Sequence, residues 1–338
     1  MNKECYKPII AITMGDPVGI GPEIAVSTML DPETHTRCRP FVIGSQAIME
    51  RAAKVLNKTL KYNKISDPAQ ARYELGTLDI LETGSYATDT LVFGKVQKLA
   101  GQMAFDWIKK SIELGMADQI DGVTTCPINK QAIKLAGVKQ DGHTEIYQEM
   151  THAPDALTMF ACHKLRVFFL SRHKSLIDAC KFVTRENVLD SIILVDKELR
   201  KSGMENPLIA VAALNPHGSD GGLFGSEEMD HLLPAVEDAN AMGINAVGPI
   251  PADSVFHIGK SGAYNAILSL YHDQGHIACK TLDFDRSTTL TFGLPFIRGS
   301  VDHGTAFDIA GEGIANPVSL QESIKVIAEY ACRAGAAR

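Results

Sequence analysis

Short, almost continuously apolar runs alternate with helical patterns along most of this 338-residue chain. The first run, residues 8–14, leads directly into the glycine-rich turn at residues 15–21, and a helical pattern follows the turn. Apolar runs of this length are typical of strands that are covered on both faces, as in parallel sheets. The alternation therefore predicts an α/β fold with a mostly parallel sheet covered by helices.

The pattern changes after Gly137. Two strand candidates, residues 156–162 and 165–170, follow one another with only a short turn between them. Consecutive strands joined in this way indicate antiparallel pairing, so we expect a second, smaller lobe in this part of the chain. The chain is long enough for more than one lobe.

Charge and cysteine usage exclude several classes of partner. The formal net charge of −7 gives no overall attraction to nucleic acid or to an anionic membrane surface. No apolar run approaches the roughly 18 residues that a transmembrane helix needs. Seven cysteines occur without a Cys-x-x-Cys pair, which favours a reducing compartment over a disulfide framework. We expect a cytoplasmic protein that acts on a small molecule.

Three histidines follow apolar strand patterns at similar positions: His173, His217 and His272. Ligands of α/β sheets bind at the carboxyl ends of strands, and three imidazoles there could hold a divalent metal with open positions for substrate. For any one of these histidines alone, a hydrogen-bonded structural role is the alternative. His276 lies four residues after His272, but the intervening Gly275 favours a loop, so only His272 is expected to bind metal.

A second set of residues suits an anionic substrate. His143 and Thr144 lie at a predicted helix N-terminus, where backbone N–H groups favour phosphate or carboxylate. Lys280 and Arg298 occupy polar breaks among apolar residues and could pair with such anions. The alternative for each is a surface cation or an ion-pair partner. Asp253 could support a ligand or carry a proton, or could simply cap its own loop.

Several motifs, in order through nearly the whole chain, resemble the 4-hydroxythreonine-4-phosphate dehydrogenase family. Residues 303–311 are also similar to the cofactor loop of isopropylmalate and isocitrate dehydrogenases. The family motifs are ITMGDPxGIGPE at 12–23, PINK at 127–130, GHTE at 142–145, NPH at 215–217, PAD at 251–253, YHDQG at 271–275 and SVDHGTA at 300–306.

The resemblance implies a homodimer of two-lobed subunits with an isocitrate/isopropylmalate-dehydrogenase-like fold and the active site in the inter-lobe cleft. In this interpretation residues 1–140 plus 265–338 form the larger, cofactor-binding lobe, and residues 141–264 form the smaller lobe with the dimer interface.

The resemblance also assigns roles to individual residues, with one metal-binding histidine contributed across the dimer interface. The implied metal ligands are His173, His217 and His272; the substrate-binding residues are His143, Thr144, Lys280, Thr289 and Arg298; the candidate catalytic residues are Asp253 and Lys280; and the candidate cofactor-binding residues are His303, Gly304 and Asp308.

Family members oxidise a hydroxyl β to a carboxylate with NAD, and the resulting β-keto acid loses carbon dioxide. The resemblance therefore implies NAD, with NADP also possible, and one divalent metal per site. Histidine ligands suit zinc, cobalt and manganese alike, and magnesium is a further candidate. A divalent ion would lower the pKa of the hydroxyl and polarise the ketone that follows.

The chain departs from the biosynthetic pattern at two positions. Thr289 replaces the usual asparagine, and Gly299 replaces the threonine that usually follows the arginine. Together with residues 94–96, these departures resemble the branch that converts 4-phospho-D-threonate or 4-phospho-D-erythronate to dihydroxyacetone phosphate. The alternatives are 4-hydroxythreonine-4-phosphate dehydrogenase of pyridoxal phosphate biosynthesis, with 3-amino-2-oxopropyl phosphate as product, a metal-dependent aldolase or lyase, and a non-catalytic binding protein that keeps the fold.

Overall fold

The structure is a computed structural model that describes residues 6–154 and 156–336. The described part of the chain divides into two compact units: the first comprises the described residues up to Ala156 together with Thr288–Ala336, and the second is built on Leu157–Ser287. Both boundaries lie later in the chain than the predicted lobe boundaries at 140/141 and 264/265. The strand and helix that follow residue 265 belong to the second unit because that strand pairs with two others there.

The described part of the chain forms short strands and helices that alternate over most of its length. The strands are β1 (Ile9–Thr13), β2 (Arg39–Gly44), β3 (Lys61–Ile65), β4 (Thr77–Glu82), β5 (Gly122–Thr125), β6 (Leu157–Cys162), β7 (Leu165–Phe169), β8 (Ile209–Ala212), β9 (Ala246–Ile250), β10 (Ala266–Ser269), β11 (Thr288–Phe292) and β12 (Ile297–Val301). The helices are α1 (Gly21–Met29), α2 (Pro32–Arg37), α3 (Gln46–Val55), α4 (Lys98–Met116), α5 (Lys130–Leu135), α6 (His143–Met150), α7 (Leu176–Lys181), α8 (Arg185–Lys201), α9 (Leu233–Ala241), α10 (Ala252–Gly259), α11 (His272–Leu282) and α12 (Val318–Ala336).

The sheet of the first unit has the strand order β3-β4-β2-β1-β5-β12-β11. Every pair is parallel except β11 with β12. The central strands are apolar because helices cover both of their faces: Ile10, Ile12, Phe41 and Ile43 are fully buried. Trp107 of α4 is fully buried in the same core. The predicted mostly parallel α/β sheet is thus confirmed.

The sheet of the second unit has the order β6-β7-β10-β8-β9. β6 and β7 pair antiparallel, as the sequence predicted, and the remaining pairs are parallel. The core of this unit includes Phe160, Val167 and Ile267 on neighbouring strands together with Val255 of α10. Because β7, β10 and β8 are adjacent and parallel, their carboxyl ends meet at one edge of the sheet.

Three local predictions were wrong. The strand β3 was missed because its sequence, KYNKI, is mostly polar; it pairs only with β4 at the edge of the first unit's sheet. The sequence Ser319-x-x-Glu322 predicts a capping box at the start of the last helix, but this helix begins one residue earlier, at Val318, whose N–H donates to the side chain of Asn316. Residues 272–276 form helix rather than loop. None of the helices in the described ranges is long and apolar enough to cross a membrane.

Candidate active site

Arg298 of β12 lies at the centre of a polar cluster in the first unit. Its side chain is 3% exposed. The guanidinium donates from Nη2 to Thr125 Oγ1 over 3.1 Å and from Nη1 to Thr291 Oγ1 over 3.2 Å and to Thr144 Oγ1 over 3.3 Å. The face of the Tyr147 ring lies 5.3 Å away. Neutral hydroxyls and an aromatic ring therefore surround this cation.

Among the described residues, no carboxylate oxygen lies within ion-pair distance of the Arg298 guanidinium. Burial lowers the pKa of Arg298 to about 10, so the group still carries its proton at neutral pH. A buried, unpaired charge is costly for a fold to retain. The Nε atom is also buried and has no hydrogen-bond partner among the described residues. This arrangement is suited to binding an anion, which would supply the missing partner.

His143 and Thr144 begin helix α6, as the sequence predicted, and the extended Gly142 precedes them. The N–H groups of this first turn have no intrahelical partners. Burial, followed by the nearby charge of Arg298, holds the pKa of His143 well below its ordinary value of 6.5. His143 is therefore a neutral hydrogen-bonding group, and Arg298 supplies the positive charge. The Nε2 atom of His143 is buried without a partner among the described residues.

The two departures from the biosynthetic pattern lie on opposite faces of the sheet. Thr289 pairs with Ser300 on β12, and Ser300 pairs with Thr125 on β5. These three hydroxyl residues form one row across the sheet. Because side chains alternate along a strand, the row shares its face with Arg298, two residues before Ser300. Thr289 is therefore placed beside the anion-binding cluster.

Gly299 faces the opposite side, toward α12. A Cβ atom at this position would lie 2.5 Å from Ser323 Oγ and 2.6 Å from Ile327 Cδ1. A Cβ atom added to Gly122 on the neighbouring strand would likewise lie 2.6 Å from Ile327 Cγ2. The interpretation of Gly299 as a substrate-related departure is thus corrected, since the packing of α12 accounts for this glycine.

In the second unit, His173, His217 and His272 follow the parallel neighbours β7, β8 and β10 respectively. All three are exposed at the carboxyl ends of these strands. Imidazole is an ordinary ligand of divalent metals, so the donor chemistry fits. Within the described residues of one chain, no three His, Cys, Asp or Glu side chains lie close enough together to hold a metal ion. The described residues of a single chain therefore do not bring the predicted ligands together.

His272 and His276 lie on the same face of helix α11. Their rings stack with centroids 4.0 Å apart, and the other face of His276 stacks on Phe169 at 4.4 Å. Burial lowers the pKa of His276 to about 4, and its Nδ1 is bonded to the carbonyl of His272. The prediction of a loop was wrong because Gly275 serves close packing: a Cβ there would lie 2.6 Å from the Phe169 ring.

The loop that carries His217 is held by a buried carboxylate that sequence reasoning missed. Glu228 Oε1 accepts the N–H groups of Leu214 and Asn215 over 2.8 and 2.7 Å, and Oε2 accepts Asn215 Nδ2 over 2.9 Å. The backbone of His217 is left-handed, with φ of 56°. The sequence gives no signal for this contact, because Glu228 is one of several acidic residues in its segment. The contact becomes visible only in the folded chain, where Glu228 lies beside the loop that follows β8.

The two candidate catalytic residues belong to the second unit. Asp253 is exposed in the first turn of α10. Lys280 is half-buried on α11, with Nζ 5.4 Å from the centre of the Phe284 ring and 6.0 Å from that of Phe160. These ring contacts keep the ammonium group in a partly apolar setting. The structure does not bring Asp253 and Lys280 together through any contact that it describes.

His303, Gly304 and Asp308 lie in the connection between β12 and α12. A Cβ atom at Gly304 would meet nothing within 4 Å, and its φ is not in the left-handed region. Neither packing nor backbone conformation therefore requires glycine at this position, whereas close approach of a ligand to the backbone would. His303 Nε2 is buried without a described partner, and Asp308 is exposed. These features fit a bound cofactor.

Comparison with known proteins identifies the family. The family model described as "Pyridoxal phosphate biosynthetic protein PdxA" matches residues 36–327. A protein of Symbiobacterium thermophilum with the provisional name D-threonate 4-phosphate dehydrogenase is 50% identical over 325 residues, which cover 96% of this chain and 97% of that protein. A protein of Halalkalibacterium halodurans with the same provisional name is 49% identical over 331 residues, 98% of each chain.

A solved structure agrees with these matches. The crystal structure of a 4-hydroxythreonine-4-phosphate dehydrogenase from Burkholderia phymatum matches with a TM-score of 0.87 at 38% identity, covering 96% of this chain and 98% of that chain. The resemblance inferred from the motifs is confirmed over nearly the whole chain. The chain belongs to the PdxA family of dehydrogenases.

Proposed function

We propose that this enzyme catalyses the NAD-dependent oxidative decarboxylation of 4-phospho-D-threonate or 4-phospho-D-erythronate, giving dihydroxyacetone phosphate and carbon dioxide. The buried cation of Arg298, which lacks a carboxylate partner among the described residues, is the observation that carries the proposal. It calls for an anionic ligand, and both substrates present a phosphate and a carboxylate. Two relatives that are 50% and 49% identical over nearly their full length carry names that give D-threonate 4-phosphate as the substrate.

The proposed reaction has two steps. A nicotinamide cofactor, when bound, would accept a hydride from carbon 3 as the proton leaves the hydroxyl of that carbon, which would give a β-keto acid. The bond between carbons 1 and 2 then breaks, carbon dioxide departs, and the electron pair of that bond forms an enolate, which takes up a proton at carbon 2. Arg298 and the first-turn N–H groups of α6 hold an anionic end of the substrate, while neutral His143 supplies a hydrogen bond. Because the substrate is held in one orientation, hydride transfer takes place from a single geometry.

The proposal assigns metal binding to His173, His217 and His272, and proton transfer to Asp253 or Lys280. A divalent metal, when bound, would lower the pKa of the substrate hydroxyl and polarise the ketone. Because the described residues of one subunit do not gather three ligands, we propose that a second subunit completes the set. Analytical sedimentation with and without added zinc or cobalt would test whether metal binding requires two subunits. A monomer that binds the metal as tightly as the oligomer does would contradict the proposal.

The proposal assigns the nicotinamide cofactor, NAD or NADP, to the segment of His303, Gly304 and Asp308. The open space above Gly304 supports this assignment, because a dinucleotide that runs close to the backbone would occupy it. We also propose a cytoplasmic location, on the basis of the cysteine pattern.

The hydroxyl row of Thr125, Ser300 and Thr289 favours the sugar acid phosphates over the amino substrate. Threonine is shorter than the asparagine of the biosynthetic pattern, and its hydroxyl can either donate a hydrogen bond to a substrate hydroxyl or accept one from it. The alternative is 4-hydroxythreonine-4-phosphate dehydrogenase, the name of the structural neighbour from Burkholderia phymatum. Kinetics with both substrate types, followed by the absorbance of the reduced nicotinamide, decides between them.

Two further alternatives predict different results. A metal-dependent aldolase or lyase would form product without NAD or NADP. A non-catalytic binding protein would keep its function after His217→Ala, whereas the proposed enzyme should lose nearly all turnover.

A further inference from the structure

Glu23 links helix α1 to the segment of residues 303–313. Its side chain is 1% exposed. Oε1 accepts the N–H of Gly311 over 2.7 Å, and Oε2 accepts the N–H of Gly313 over 3.0 Å. Each carboxylate oxygen thus binds one backbone donor nearly 290 residues away in sequence.

The two donors require the backbone conformation that glycine provides. Gly311 and Gly313 have φ values of 90° and 72°, in the left-handed region. Added Cβ atoms would also lie 2.7 Å from the Phe93 ring and 2.9 Å from the carbonyl of Val55 respectively. Both N–H groups are therefore turned toward one buried carboxylate by a turn with little freedom to change.

Backbone contacts hold the earlier part of the same segment. The N–H of Ile20 donates to the carbonyl of Thr305 over 3.0 Å. Gly19 and Gly94 allow close approach, since Cβ atoms there would lie 2.9 Å from the carbonyl oxygen of Thr305 and 2.5 Å from that of Phe307. The side chain of Glu23 holds the other end of the segment, at Gly311 and Gly313.

We propose that Glu23 is a positioning residue that holds the segment of residues 303–313 in the conformation that receives the nicotinamide cofactor. The inference rests on the proposed function, which assigns cofactor binding to His303, Gly304 and Asp308. A segment that is ordered before binding loses less conformational entropy when the cofactor binds. Glu23 touches neither the substrate nor the reacting atoms in this account, and it acts through the backbone of the segment.

The Glu23→Gln variant tests the role, because glutamine has one acceptor oxygen and would leave one of the two N–H groups facing an NH₂ group. Asp79 offers a matched control. It is fully buried in the same unit, and it accepts the N–H groups of Arg72 and Tyr73 over 3.0 and 2.8 Å. Asp79→Asn should disturb a buried carboxylate of the same type without touching the segment.

Two measurements are made on each full-length protein: amide hydrogen exchange without cofactor, and the Kd for NAD by calorimetry. We expect Glu23→Gln to raise exchange selectively in 303–313 and to weaken NAD binding by about tenfold, which corresponds to about 1.4 kcal/mol. Asp79→Asn should raise exchange near residues 72–73 and leave the Kd unchanged. Unchanged exchange in 303–313, an unchanged Kd in Glu23→Gln, or equal effects in both variants would overturn the proposal. A wild-type protein that binds neither NAD nor NADP would overturn the proposed function instead, while exchange would still report on the contact.

Discussion

Arg298 on β12 donates a hydrogen bond from Nη2 to Oγ1 of Thr125 on the adjacent parallel strand β5, over 3.1 Å. The contact joins residues 173 positions apart in sequence. It fixes the guanidinium plane against neutral partners and leaves the positive charge for a ligand. The anion-binding role of Arg298 in the proposed function depends on this arrangement.

Replacing Arg298 with lysine should weaken substrate binding. Lysine keeps the charge but lacks the planar group that bonds Thr125, Thr291 and a substrate oxygen together. We expect KM for the phosphorylated substrate to rise about tenfold or more, while the Kd for NAD stays unchanged. Arg37→Lys, on the exposed side of α2, is the control and should retain wild-type kinetics. An unchanged KM for Arg298→Lys would exclude Arg298 from substrate binding.

Thr289→Asn should shift substrate preference toward the amino substrate. The longer side chain restores the carbonyl and amide groups of the biosynthetic pattern beside Ser300. We expect the ratio of kcat/KM for 4-hydroxythreonine phosphate to that for 4-phospho-D-threonate to rise about tenfold, a change of about 1.4 kcal/mol in relative transition-state binding. A ratio that stays constant while both activities fall would show that Thr289 has only a structural role.

Gly299→Thr should destabilise the first unit rather than change substrate preference. The new side chain would overlap Ser323 and Ile327 of α12. Overpacking of this kind typically costs about 1–3 kcal/mol, measurable as a lower midpoint in urea unfolding. Gly304→Ala is the matched control, because a Cβ there meets nothing within 4 Å. Wild-type stability of Gly299→Thr, together with altered substrate preference, would restore the substrate-related interpretation of this glycine.

Asp16 predicts a pH dependence of stability. The residue is fully buried after β1, and burial raises its pKa from 3.8 to about 6. One oxygen accepts the N–H of Val18, and the other has no described partner. The folded state binds the proton of Asp16 more tightly than the unfolded state does. The resulting contribution to the free energy of unfolding is therefore complete below pH 3.8 and is lost as the pH rises through about 6.

Asp16→Asn should remove this dependence, since asparagine does not titrate. The free energy of unfolding of the wild type relative to the variant should fall by about 2–3 kcal/mol between pH 4 and pH 7, because each pH unit between the unfolded and folded pKa values changes it by about 1.4 kcal/mol. Urea unfolding at several pH values measures this difference. A constant difference between the two proteins would mean that Asp16 does not titrate in this range.

Much of the fold follows from local sequence pattern. The buried strands β1, β2, β5 and β8 read as apolar runs, because helices cover both faces of the sheet. The edge strand β3 was missed since its sequence is mostly polar and only Ile65 is buried. Gly275 misled the prediction for α11 because a glycine that marks a loop and one that lets a helix pack closely on Phe169 look identical in sequence.

The site was predictable in its charged residues but not in their surroundings. His143 and Arg298 stand out by residue type and by position next to strand and helix ends. Thr125 and Thr291 do not, because their contacts with Arg298 depend on the register between β5, β12 and β11. Glu23 and Glu228 were missed for the same reason: each binds backbone N–H groups that only the folded chain brings near.

The most direct test of the account compares three substrates in one assay with NAD and a divalent metal: 4-phospho-D-threonate, 4-phospho-D-erythronate and 4-hydroxythreonine phosphate. We predict that kcat/KM is highest for one of the two sugar acid phosphates and that dihydroxyacetone phosphate and reduced NAD form in equal amounts. A higher kcat/KM for 4-hydroxythreonine phosphate, or product formed without reduction of the nicotinamide, would contradict it.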